Sequence, residues 1–175
     1  NAISRSLDEG DVTDSLVSQL NVFQSKFGYL PDFLDGHQHV HSFPLINQVV
    51  SQVLSKYKYK GWVRNVGSRE PLSLIQSIKF SYFKKFLVLQ ALAFFHRRNL
   101  RKNNILHNTN FHGLLPLTNP VKLERALPAL YDASFPISTV IMCHPGSLLG
   151  ASSADHPSRS RDIEFKFLSL RSIDA

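Results

Sequence analysis

The chain predicts an α/β fold of parallel strands alternating with helices, and three observations lead there. FLDGHQ, residues 33 to 38, is a short strand candidate with a turn-like lead-in. Pro44 then opens an apolar helical stripe, and Trp62 and Val63 open a second strand after Gly61. Strand, helix and strand within about 33 residues make a βαβ unit. Downstream, further helical patterns surround one more β-rich run, ISTVIMC at 137 to 143, and continue the alternation.

Each element has its own signal. Leu16, Leu20, Phe23 and Phe27 follow helical spacing, with Asp11, Thr13 or Asp14 as a cap and Gly28 as a stop, so a helix is expected over 13 to 27. Pro31 ends that pattern. Pro44 suits the first turn of a helix, with Ser42 as a nearby cap. Leu45, Ile46, Val49, Val50, Val53, Leu54 and Tyr57 form one stripe to about Lys58. Residues 79 to 98 read as a long, unusually apolar helix, and Asn119-Pro120 starts another through Leu123, Leu127 and Leu130, interrupted by Pro128. Residues 147 to 160 form a loop of small residues, and 161 to 172 predict a final helix. There is no internal repeat.

Bulk properties narrow the class. The 175 residues and 43% hydrophobic content suit one domain with a core. A single cysteine, Cys143, excludes an internal disulfide and a cysteine zinc knuckle. With no basic region leading into an apolar run, it sets the expectation of a cytoplasmic protein. The longest apolar run, FLVLQALAFF at 86 to 95, is shorter than the roughly 20 residues of a membrane span and predicts a buried helix. The net charge of +7 gathers partly in KYKYK and HRRNLRK. These clusters read as solvated helix ends, so no nucleic-acid partner is expected. No Walker loop, GxGxxG, GxSxG or HExxH motif occurs.

The histidines carry the functional signal. His37, His39 and His41 lie in PDFLDGHQHVHSFP, at the expected end of the first strand. On an extended strand they and Asp35 would share one face. Residues at i and i+4 sit about 13 Å apart there, while zinc–nitrogen bonds are about 2.1 Å. Two adjacent imidazoles would reach one ion and three would not, so one or two are candidate metal ligands and the others shape a pocket. His144 follows ISTVIMC and precedes Pro145 and Gly146, a second histidine at a strand end. In parallel α/β folds, chemistry collects at the C-terminal ends of strands.

FLDGHQHVHSFP resembles the signature of the YdjC-like carbohydrate deacetylases, a family that includes chitooligosaccharide and hopanoid-biosynthesis deacetylases. Asp35, Gly36, His37, Gln38, His39, Val40, His41 and Pro44 fit its motif in order. MCHPG at 142 to 146 resembles the later histidine motif, RDIEFKFLSL the helix after it, and TNFHG at 109 to 113 an aromatic-glycine segment between them. The match spans most of residues 12 to 172. The resemblance implies part of a deformed (β/α) barrel of the polysaccharide-deacetylase type, and a divalent ion, Mg or Zn, held by an aspartate and two histidines. It implies hydrolysis of an N-acetyl group on an amino sugar or glycolipid. His37 would be one metal ligand, and His144 would protonate the departing amine. Asp35 would orient an imidazole, His39 and His41 would line the pocket, and Arg64 would touch substrate or form an ion pair.

The family's first strand carries an Asp-Asp pair before Phe-Gly, and a later histidine completes its metal site. This chain shows neither and begins at Asn1. Residues 1 to 175 are therefore expected to form a single incomplete domain, a C-terminal portion with its first strands missing, weak in metal binding and catalysis. Another metal hydrolase using His37 and His39, and a non-catalytic glycan- or protein-binding relative, are the alternatives.

Overall fold

The computed structural model describes residues 8–70, 75, 83–131, 138–148 and 157–170. The expected helix start at 79, strand start at 137, helix end at 172 and most of the 147–160 loop lie outside them. The chain divides into two compact units, Asn1–Ser68 with Leu87–Asn110, and Arg69–Phe86 with Phe111–Ala175.

In the first unit, α1 spans Glu9–Phe27. Its cap is Asp8, whose carboxylate accepts from the Gly10 and Asp11 amides, rather than the expected residues three to six positions later. Gly28 ends it at φ 81°, a left-handed cap that glycine adopts without a Cβ clash. Next come β1 (Phe33–Leu34) and α2 (Pro44–Lys56), with Pro44 in the first turn. Phe43, which has no side-chain acceptor, sits at the cap of α2, and the expected cap Ser42 turns its hydroxyl to His96. β2 (Trp62–Val63) follows, then α3 (Phe83–Lys102), which belongs to this unit from Leu87 onward, and β3 (Leu106–His107). The three strands pair in parallel in the order β1-β2-β3, with Phe33 opposite Trp62 opposite Leu106 and Leu34 opposite Val63 opposite His107. The α/β alternation and the βαβ unit are therefore present. β3 was not expected: it is too short to carry a period of its own.

One face of this sheet meets the helices. Val63 packs with Leu20, Val49, Val50, Val53, Leu54, Leu100 and Ile105, and Leu34 lies against that cluster. The other face carries the row Phe33, Trp62 and Leu106. Phe33 and Leu106 are exposed, and the Phe33 and Trp62 rings stack at 5.3 Å.

The expectation that residues 86 to 95 are buried holds for one side only. Leu89, Ala93, His96 and Leu100 face inward at helical spacing, while Leu87, Val88, Phe94 and Phe95 are exposed. Among the described residues no helix is long and apolar enough to cross a membrane.

In the second unit, β4 (Asn110–His112) and β5 (Thr139–Ile141) form a two-stranded sheet. Gly113 follows β4 at φ 107°, and a Cβ there would come within 2.2 Å of the Met142 carbonyl oxygen. α4 (Pro120–Tyr131) tolerates Pro128 near its C-terminal end, and α5 (Ser158–Ser169) starts three residues before the expected 161. Leu117, Leu123 and Leu127 form the core here, with Ile163, Phe167 and Tyr131 against it.

Candidate functional site

β1 ends at Leu34, and the chain leaves extended geometry at once. Residues His37–Ser42 form a tight 3₁₀ segment in which Gln38 and His39 sit at φ 49° and 65°. Left-handed backbone is costly for residues with a Cβ and persists only where the surroundings hold it. Here the surroundings are His41 and Arg64. The Gly36 amide donates to His41 Nδ1 at 2.9 Å, and His41 Nε2–H donates to the Arg64 carbonyl at 2.7 Å. That pair of bonds assigns the neutral Nε2–H tautomer. Burial holds the His41 pKa below its ordinary value, which keeps the ring neutral. Only glycine fits at position 36, since a Cβ there would lie 2.5 Å from His41 Nδ1.

The three histidines consequently do not share a strand face, which corrects the geometry read from their spacing. Alternation requires an extended chain, and the backbone turns before the first imidazole. His37 is exposed, and its ring makes no hydrogen bond or ion pair among the described residues. His39 is half-buried, and His41 is buried.

Arg64 follows β2 and is 5% exposed. Its Nε donates to Asp35 Oδ1 at 2.6 Å and its Nη2 reaches the same oxygen at 2.5 Å. Nη1 donates to His39 Nδ1 at 3.0 Å and Nη2 to the Gly36 carbonyl at 3.3 Å. One guanidinium thus gathers the acid, the turn and the middle histidine. Asp35 Oδ1 also lies 3.8 Å from His41 Nδ1.

Behind this loop lies a polar layer that sequence reasoning missed. His96 is fully buried, with Nδ1 3.3 Å from the Ser42 hydroxyl and its ring edge-on to His41 at 5.2 Å. Its Nε2 has no hydrogen-bond partner among the described residues, and burial brings its pKa down to about 3. A signal existed: His96 falls on the stripe of Leu89, Ala93 and Leu100. Asn65 and Asn108, just beyond β2 and β3, clasp each other. The Asn65 amide donates to Asn108 Oδ1 at 2.6 Å, and Asn108 Nδ2 donates to the Asn65 carbonyl at 2.8 Å. Neither asparagine carries a local signal, since Asn65 follows Arg64 and Asn108 follows His107.

In the second unit, His144 follows β5 and is half-buried. Its backbone amide donates to Glu164 Oε2 at 2.7 Å. Glu164 on α5 is fully buried, and burial raises its pKa. Its Oε1 has no partner among the described residues. Gly146 is pinned to the same helix through the Arg161 carbonyl at 3.0 Å. His112 on β4 is buried, which brings its pKa down to about 4.

Metal coordination requires several converging donors. Both His41 nitrogens and one His39 nitrogen are committed to bonds within the loop. Among the described residues no three His, Cys, Asp or Glu side chains converge as a metal-holding group. The loop offers one open imidazole, His37, and that does not amount to a closed coordination set.

Parallel strands whose C-terminal ends carry a locked histidine loop define an α/β protein of the kind that places its chemistry at strand ends. The chain belongs to the YdjC-like protein family, whose model matches residues 1–173. It is 27% identical over 165 residues to a carbohydrate deacetylase of Danio rerio, covering 82% of this chain and 52% of that protein. It is 39% identical over 51 residues to a carbohydrate deacetylase of Homo sapiens, covering 29% of this chain and 16% of that protein. The chain spans about half the length of the Danio rerio relative and less of the human one. No solved structure matches it.

Proposed function

We propose that this chain carries part of the apparatus of a carbohydrate deacetylase, a hydrolase that removes the N-acetyl group from an amino sugar, free or on a glycolipid. The observation that carries the reading is the DGHQHVH loop at the end of β1. It holds two histidines and an acid in a bonded frame and leaves His37 open to solvent. A purely structural loop has no need of an exposed imidazole beside so costly a backbone.

The roles divide by residue. His41 and Arg64 hold the loop, and Asp35 neutralises Arg64. His37 would be one ligand for a divalent ion, Mg or Zn, which would supply Lewis-acid chemistry to the acetamide and its attacking water. His144 is the proton donor to the departing amine, its backbone steadied by Glu164. The described residues do not complete the ion's coordination. A deformed barrel in one incomplete domain belongs to the same reading. Parallel sheets are covered on both faces, and barrel closure would cover the exposed row of Phe33 and Leu106.

The test is acetate release from N-acetylglucosamine oligomers with Mg or Zn added, comparing the chain with its His37→Ala and His144→Ala variants. Loss of release in both variants supports the reading. Release that survives His37→Ala removes that residue from the chemistry. Oligomer binding without release by any form moves the reading to a non-catalytic glycan-binding relative.

A further inference from the structure

We propose that the outward face of α3, from Leu87 to Lys102, docks on an anionic lipid surface. The inward stripe of this helix, Leu89, Ala93, His96 and Leu100, is buried. The opposite side does not turn polar, as a solvent-facing helix side does. It exposes Leu87 (49%), Val88 (59%), Phe94 (63%) and Phe95 (54%), with the two phenylalanine rings edge-to-face at 5.5 Å. Apolar residues scattered singly over a surface call for no explanation, whereas a contiguous group of large ones marks an interaction site.

Charge selects the partner. The helix sequence FKKFLVLQALAFFHRRNLRK contains no aspartate or glutamate. Arg98, Arg101 and Lys102 are exposed just after the apolar group and meet no carboxylate among the described residues. Lys84 and Lys85 precede it in sequence. An apolar stretch bracketed by cations is the pattern of a helix lying in the plane of an anionic membrane, with aromatic and aliphatic groups among the acyl chains and cations at the headgroups. A second copy of this chain would bring +7 against +7, so self-association is opposed by charge. A nucleic acid would use the cations and leave Phe94, Phe95, Leu87 and Val88 in water. The helix lies on the surface without spanning, in keeping with its length and hydropathy.

The experiment is co-sedimentation of the full chain with vesicles of phosphatidylcholine alone and of phosphatidylcholine mixed with phosphatidylglycerol. Binding to the mixed vesicles and little to the neutral ones is expected. Phe94→Ser/Phe95→Ser should weaken it by about tenfold for each ring withdrawn from the acyl boundary. Arg98→Gln/Arg101→Gln should weaken it by about fivefold for each cation lost. All four residues are at the surface, and far-UV circular dichroism checks that the variants stay folded. No binding to the mixed vesicles overturns the proposal. So does binding lost with the arginines but indifferent to the phenylalanines, which marks a general polyanion site. So does an oligomer, seen by light scattering, that the phenylalanine variant dissolves.

Discussion

Replacing His96 by phenylalanine tests the polar layer behind the histidine loop. His96 is fully buried, and its pKa of about 3 compares with 6.5 for a free imidazole. Burial is the main cause, and His41, His107 and Arg64 add to it. The sign follows from linkage. A histidine with a lowered folded pKa stays neutral in the fold while the unfolded chain takes up its proton. Stability is therefore intact above pH 6.5 and is lost as pH falls from there toward the folded value. At pH 5 the gap from the unfolded pKa is about 1.5 units, worth about 2 kcal/mol at about 1.4 kcal/mol per unit. That figure is the same for any folded pKa well below 5. Phenylalanine is close to histidine in size and does not titrate, so His96→Phe should lose about 2 kcal/mol less than wild type between pH 7 and pH 5. Urea unfolding at both pH values, extrapolated linearly, measures the difference. His41 and His112 also have lowered pKa values, but they titrate in both proteins and cancel. Equal acid losses in the two proteins would refute the reasoning, because they would mean that His96 is protonated in the fold or is not buried.

Two further outcomes probe the loop and the second unit. Asp35 is 43% exposed at its side chain and Arg64 only 6%, so the ion pair should break asymmetrically. Asp35→Ala leaves a buried guanidinium without its counter-charge and should cost about 2–4 kcal/mol, whereas Arg64→Met leaves a carboxylate that water reaches and should cost about 1–2 kcal/mol. Chemical denaturation of both variants gives the order, and a larger loss in Arg64→Met contradicts it. Gly113→Ala must hold φ 107° and place a Cβ 2.2 Å from the Met142 carbonyl oxygen, so a loss of about 2 kcal/mol or more is expected. A melting temperature unchanged from wild type would contradict the close approach of Gly113 to Met142.

Elements with local causes were legible in the residues alone. Pro44 and Pro120 open helices because a proline fits a first turn, and Gly28 closes one because glycine accepts left-handed backbone. Trp62 and Val63 are a strand as expected, and the DGHQHVH motif marked the loop where the candidate chemistry sits. Tertiary structure decided the rest. β1 has two residues rather than six, and β3 has only two, because pairing with β2 and not periodicity defines them. Which histidine turns inward depends on partners remote in sequence. His41 bonds to Arg64, 23 residues away, and His96 meets Ser42 across 54. A polar side chain is buried only where such a partner meets it. No local pattern states that a partner will be there, and so the spacing of the histidines drew attention to this loop without stating which of them faces solvent.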